Sequence, residues 1–343
     1  MQATYTNSFV NGGLTMTQID NGTIALTTPA TYSYSPDTNN LVHSCLLNFN
    51  GSLSACVSST SLPGTPSDIV FATVSNTLYD YVPMGISGVD YCQLTSGDLA
   101  LNCASASTQF TPSWTSPSQI AFATVNGTQY AYVTDGSTVY QCTLDTSGQV
   151  TNGQFTGCTP ISSSTPASSG IAIAAVNGAQ YAYLVDSSSS TINFCPFNND
   201  GTFASCNSVG TGITRPNGIA ITTVNGGSYA YIVDSANAMV DLCALDNAGF
   251  FPSCNGMKVD YTNNTALTGI TFGTVNGTQY AYVSDANSDQ SLSGGYSGGK
   301  LWQCSLLDTG AFDTCTYLPS TRPNPSWTLN GSSAIQYMLN LTT

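Results

Sequence analysis

The phrase "ATVNGTQYAYVTDG", starting at Ala123, returns as "AAVNGAQYAYLVDS" from Ala174, "TTVNGGSYAYIVDS" from Thr222 and "GTVNGTQYAYVSDA" from Gly273. Each copy is an apolar run, an Asn-Gly pair and a second run in which tyrosines alternate with apolar residues. Asn-Gly between two such runs is the strongest short signal for a β-hairpin, because a type I′ turn needs positive φ at both central residues. A unit that recurs every 40 to 60 residues or so implies a repeat architecture. The repeated phrase is therefore read as part of a repeating fold and not as a ligand motif copied for avidity.

Each unit reads as four strands. The first is apolar ("GIAIAAV" from Gly170), the second follows the Asn-Gly turn ("QYAYLVD"), the third is of the type "TVYQC" from Thr138, and the fourth returns through a Gly-containing hairpin to a cysteine. Complete units cover about 22–66, 67–116, 117–167, 168–215, 216–265 and 266–324. The two ends read as halves of one more. "TYTNSFVNGGLTMT" (4–17) matches strands three and four, and "SWTLNGSSAIQYML" (326–339) matches strands one and two. Pairing the termini in one blade removes the open edge of a sheet array. The expectation is an all-β, seven-bladed β-propeller of four-stranded antiparallel blades. Residues 1–343 form a single domain in this reading, and its seventh blade joins 325–343 to 1–21.

Composition agrees with strands. Charged residues are 6% of the chain, and all 18 acids are Asp. Glu is absent and only four residues are Lys or Arg, so the usual helix formers are scarce while Thr, Tyr and Val are plentiful. A net charge of −14 argues against nucleic acid and anionic membrane as partners. No apolar run is long enough to span a bilayer, and the first residues show no basic segment leading into an apolar one.

Each complete unit has two cysteines: Cys45/Cys56, Cys92/Cys103, Cys142/Cys158, Cys195/Cys206, Cys243/Cys254 and Cys304/Cys315. Five pairs are 11 residues apart and the Cys142 pair is 16 apart. Each pair falls on opposing strands of one hairpin, where cross-strand neighbours bring Cβ atoms within disulfide reach. In the split unit the same slots hold Thr6 and Thr17. With no C-x-x-C and His43 as the one histidine, zinc is the weaker reading. No cofactor or metal is expected. Six disulfides place the protein in an oxidising compartment, extracellular or on the cell surface.

The long variable loops, such as those at 105–118 and 286–300, fall on the face opposite the Asn-Gly turns, and binding favours such loops. All four cations (Arg215, Lys258, Lys300 and Arg322) lie there, with Trp114 beside them. They could form an anion site. The simpler reading pairs them with Asp135, Asp186, Asp234 and Asp285, the acids that end strand two on that face; Asp37 shares the position and Met84 replaces it in the second unit. An Asp at such a place usually caps a turn, with calcium binding as the rival role. Sequons at Asn21, Asn50, Asn126, Asn263, Asn276, Asn330 and Asn340 are candidate glycosylation sites.

The stretch "NGIAITTVNGGSYAYIVDSANAMVDLC" (217–243) and its copies resemble the NHL-like group of propellers, and the paired cysteines resemble secreted or surface propellers of bacteria. That resemblance implies the fold first. Its members include scaffolds for protein or RNA binding and a few lyases that use His or metal. One histidine inside a strand and no Glu leave little for acid–base chemistry. The expectation is therefore a non-catalytic secreted module, a rigid binding or structural disc, possible as a subunit of a filament. Its partner would be a protein or glycan on the variable face. A lectin-like propeller is the alternative.

Overall fold

The structure is a computed structural model. It describes residues 15–19, 23–27, 30–37, 39–48, 53–94, 103–106, 114–145, 153–161, 169–209, 212–260, 266–275, 277–286, 300–318 and 334–338. The sequence phrases fold as their patterns require. Asn126, Asn177 and Asn225 take φ of 49°, 50° and 47°, and the glycines that follow take about 81°, the paired positive φ of a type I′ turn.

Five four-stranded antiparallel sheets are built from consecutive strands. The first contains β6 (Val70–Val74), β7 (Thr77–Pro83), β8 (Val89–Gln93) and β9 (Cys103–Ser105). The next has β10 (Pro117–Val125), β11 (Thr128–Asp135), β12 (Thr138–Leu144) and β13 (Phe155–Ile161). Then come β14 (Gly170–Val176), β15 (Ala179–Asp186), β16 (Thr191–Pro196) and β17 (Asn207–Val209). They are followed by β18 (Pro216–Val224), β19 (Gly227–Asp234), β20 (Met239–Ala244) and β21 (Cys254–Lys258). The last of the five holds β22 (Leu267–Val275), β23 (Thr278–Asp285), β24 (Lys300–Leu306) and β25 (Phe312–Tyr317).

A sixth sheet is composite. The C-terminal strand β26 (Ala334–Met338) pairs with β3 (Ala30–Asp37), which continues to β4 (Leu41–Leu47) and β5 (Leu53–Ser58). The innermost strands β6, β10, β14, β18, β22 and β26 neighbour one another in that order, and β26 returns to β6. The ring is a β-propeller, but it does not have seven blades. The strand "TIALT", β2 (Thr23–Thr27), was expected to open the first unit. It pairs instead with β1 (Thr15–Ile19), with Thr17 opposite Ala25. β26 takes the vacated place, so the two ends complete an existing blade and do not form a seventh. The physical reason is that a single strand satisfies the inner edge of β3. Closure needs one strand from the C-terminus, not half a blade from each end.

The blades are held by a repeated latch. Tyr81, Tyr132, Tyr183 and Tyr231 are almost wholly buried. Their hydroxyls donate to the carbonyls of Gly153, Gly201, Gly249 and Gly310 at 2.6, 2.8, 2.6 and 2.7 Å. Each glycine sits in the third-to-fourth hairpin of the next blade. Gly249 shows why a side chain is excluded there: its φ is +79°, and a Cβ would lie 2.9 Å from the Tyr183 hydroxyl. The same blade interfaces bury Ile120, Ala131 and Val133 against Tyr79, Tyr81 and Tyr91. Each large apolar side chain so buried contributes about 1.5–3 kcal/mol.

The expected pairing holds for Cys92–Cys103, Cys142–Cys158, Cys195–Cys206, Cys243–Cys254 and Cys304–Cys315. Cys45 is also disulfide-bonded, and the side chain of its expected partner Cys56 lies outside the described residues. Five disulfides are consistent with an oxidising compartment. Among the described residues no helix is long and apolar enough to cross a membrane.

Candidate functional site at the ring mouth

Every innermost strand begins on the face where every second strand ends. The position two residues after the incoming loop is held by Asp68, Gln119, Gly170, Gly218 and Gly269 in the five consecutive blades. Two adjacent blades thus place a carboxyl and a carboxamide at the mouth, and the three blades beyond place none.

Gln119 leans toward the next blade. Its Oε1 accepts the Ile171 N–H at 3.0 Å, and a Cβ on Gly170 would lie 2.8 Å from that oxygen. The missing side chain at Gly170 is what admits Gln119. Asp68 uses the same slot one blade earlier, its carboxyl taking N–H donors from Ile69 and from Ile120 of the neighbouring blade. Asp68 is only 4% exposed. Burial pushes its carboxyl up to about 8, against the pull of those two donors. Desolvation disfavours the charged form, so Asp68 carries its proton at neutral pH.

The rim around this position is stitched by short polar side chains. The Ser67 hydroxyl donates to the Ser118 carbonyl at 2.8 Å, and the Asn217 amide donates to the Thr268 carbonyl at 3.3 Å. Both bonds cross from one blade to the next and hold the strand starts in place.

The acids at the ends of the second strands serve the loops. Asp135 accepts the Thr115 N–H at 3.0 Å, the Thr115 hydroxyl at 2.7 Å and the Ser116 N–H. Asp186 takes the Ser188 and Ser189 hydroxyls, each at 2.6 Å. Asp234 takes the N–H groups of Thr214 and Arg215 at 3.0 and 3.2 Å and the Asn237 amide at 2.8 Å. Burial works to raise the Asp234 carboxyl. The donors from Thr214, Asn237 and Arg215 outweigh it and hold the group below the usual carboxylate range. Asp285 accepts the Ala266 N–H at 2.8 Å. Turn capping is thus what these four carboxylates do. Asp37 ends β3, and its side chain lies outside the described residues. Among the described residues no group of three His, Cys, Asp or Glu is placed to hold a metal ion.

Three of the four cations singled out in the sequence lie among the described residues. Arg215 meets Asp234 through its backbone N–H. Lys258 closes β21 opposite Met239. Lys300 opens β24 opposite Asp285, with its Nζ 6.0 Å from the Trp302 ring centroid. Trp114 stacks edge-on against Tyr140, centroids 5.4 Å apart. Buried His43 pairs with the Ser58 hydroxyl at 2.9 Å. Asn126 donates its side-chain nitrogen, the atom a glycan would occupy, to the Asn199 carbonyl at 2.7 Å. Arg322, Asn21, Asn50, Asn263, Asn276, Asn330, Asn340 and Thr6 lie outside the described residues.

Fold and mouth together define a β-propeller with one buried carboxyl, raised to about 8 by its burial, beside the start of an innermost strand. Solved structures share this fold. A putative 6-phosphogluconolactonase from Bacteroides fragilis is 13% identical with a TM-score of 0.55, covering 86% of this chain and 83% of its own. A putative 6-phosphogluconolactonase from Bacteroides uniformis is 16% identical, also with a TM-score of 0.55, covering 85% of this chain and 83% of its own. A GH43_1 enzyme from Xanthomonas citri complexed with xylose is 14% identical with a TM-score of 0.50, covering 73% of this chain and 90% of its own. No protein-family model matches the chain, so the NHL resemblance is upheld only as far as the propeller fold. No curated protein matches it either.

These likenesses show the fold, and these three solved structures carry enzyme names. The expectation of a non-catalytic binding or structural module is corrected accordingly. It rested on the shortage of His and Glu. Burial of one Asp supplies a neutral acid at physiological pH without either residue. Sequence reasoning passed over Asp68, although the signal was present: "SDIVFATV" departs from "SQIAFATV" and "NGIAITTV" at that one polar place.

Proposed function

We propose that this propeller is a hydrolase of sugar lactones or similar cyclic sugar esters, with Asp68 as its general acid. The observation that carries the reading is the Asp68 carboxyl, only 4% exposed beside the start of an innermost strand and pushed up to about 8 by burial. Glycoside hydrolysis needs two carboxyl groups flanking the scissile bond, and the neighbouring acids on this face are committed to loop N–H groups. Lactone opening asks less. Water adds to the ester carbonyl, the ring C–O bond breaks, and the leaving oxygen takes the proton of Asp68. The carboxylate recovers a proton from the added water, and the product is a hydroxy acid. The lactonase-named propellers, which span most of this chain, support the same reading.

The test is a lactone panel (aldonolactones with and without a phosphate) followed by titration of the acid formed. Asp68→Asn is expected to lower kcat about 100-fold or more with the circular dichroism spectrum unchanged. The wild-type rate is expected to fall as pH rises past about 8, where Asp68 loses its proton. Full activity in Asp68→Asn, or no turnover of any lactone by the wild type, would sink the proposal.

A further inference from the structure

The five fully described disulfides share one design, with a single exception. In each, the third-strand cysteine (Cys92, Cys142, Cys195, Cys243 or Cys304) is wholly buried, and its fourth-strand partner is half-buried. The residue paired with the buried cysteine on the second strand is Ala131, Ala182, Ala230 or Ala281 in four blades. In the fifth it is Asp80, directly opposite Cys92. Cross-strand partners project to the same side of a sheet. A carboxyl therefore stands where the other blades place a methyl group against the disulfide.

The surroundings of that carboxyl are apolar. Cys92 clusters with Tyr34 and Val42 of the composite blade and with Val82, Met84 and Leu94 of its own. Asp80 is 0% exposed; its carboxyl has no side-chain partner among the described residues, and only the backbone N–H groups of Cys92 and of Asp80 itself pull against its burial. The titratable groups on the same side are Asp90, two residues before Cys92, and Tyr34 from across the interface. Burial raises the Asp80 carboxyl to about 8 and raises that of Asp90 as well.

We propose that Cys92–Cys103 is a thiol–disulfide exchange site for dithiols, with Asp80 as the proton donor to the departing Cys92 sulfur. A thiolate of the dithiol attacks the half-buried Sγ of Cys103. The Sγ–Sγ bond breaks, and its electron pair goes to Cys92. A thiolate stranded in an apolar interior is a poor leaving group. The proton of Asp80 converts it to a neutral thiol, and the carboxylate regains a proton from solvent. The second thiol of the reagent then releases Cys103 and closes the reagent's own disulfide, so the dithiol is oxidised and the protein reduced by two electrons. At the other four disulfides the attack is the same, but an alanine faces the leaving sulfur.

The test is partial reduction with dithiothreitol at neutral pH, quenching with an alkylating agent and peptide mapping. Cys92 and Cys103 are expected to label about tenfold or more faster than the other four pairs, the scale of one general acid at the modest end. Asp80→Ala restores the residue of the sister blades. It is expected to bring the Cys92–Cys103 rate down to theirs while raising the thermal midpoint. Ala131→Asp, if it folds, is expected to pass the preference to Cys142–Cys158. Equal labelling of all five pairs in the wild type would overturn the proposal. So would an undiminished preference in Asp80→Ala, which would assign the effect to fraying of the short strand β9.

Discussion

At the residue scale, one tyrosine in each of four blades does what neither packing nor backbone pairing does alone. The hydroxyls of Tyr81, Tyr132, Tyr183 and Tyr231 cross the blade boundary to a glycine carbonyl. Tyr132→Phe keeps the ring against Phe203 but leaves the Gly201 carbonyl without that donor. The expected loss is about 1 kcal/mol, near the net contribution of one hydrogen bond, read as a lower urea midpoint with an unchanged slope. The tyrosines were legible from their alternation in "QYAYV". Their partners were not, because each hydroxyl reaches 66 to 79 residues along the chain. Asp68 and Asp80 were legible only as departures from the repeat, and their meaning came with burial. A carboxyl has an ordinary pKa until water is taken from it.

At the element scale, the strand that matters most is a short one at the C-terminal end. β26 is five residues long, yet it supplies the inner edge of the composite blade and the contact back to β6. A chain ending at residue 333 is expected to lose the closed ring and expose the edges of β3 and β6. The readouts are a lower thermal midpoint, a less cooperative transition and a tendency to associate through the exposed edges. Adding residues 334–343 as a separate peptide should restore part of the midpoint. No shift on truncation would mean that β26 does not close the ring. The repeat predicted a closing strand from this segment. It misjudged the partner, because "TIALT" has the composition of an inner strand and only the pairing of β2 with β1 removes it from the blade.

At the scale of the whole molecule, the buried acids tie stability to pH. Asp68 and Asp80 are raised to about 8 and Asp241 to about 6, all chiefly by burial. Between the ordinary carboxylate pKa near 3.8 and these values, the folded protein holds protons that the unfolded chain releases. Stability therefore falls as pH rises through that window. The loss begins near 3.8 for all three groups; the share of Asp241 is complete by about 6, and Asp68 and Asp80 go on costing stability until about 8. A urea midpoint higher in mild acid than in mild alkali is the expected result, and Asp80→Ala should flatten the curve. A net charge of −14 at pH 7 pushes the same way through self-repulsion.

The amino-acid sequence by itself determined the all-β class, the four-stranded unit, the type I′ turns and the cysteine partners. All of these are local: period-two alternation, two residues of positive φ, and cysteines a hairpin apart. The tertiary structure decided the number of blades, which terminal strand closes the ring, and which aspartates are acids and which are caps. Asp135 and Asp68 are the same residue type on the same face. One meets three donors from Thr115 and Ser116, in the segment that enters its own blade, and the other is drawn under the rim of a neighbouring blade. That difference is made by residues some 50 positions away in the chain, at Ile120, and no local pattern carries it.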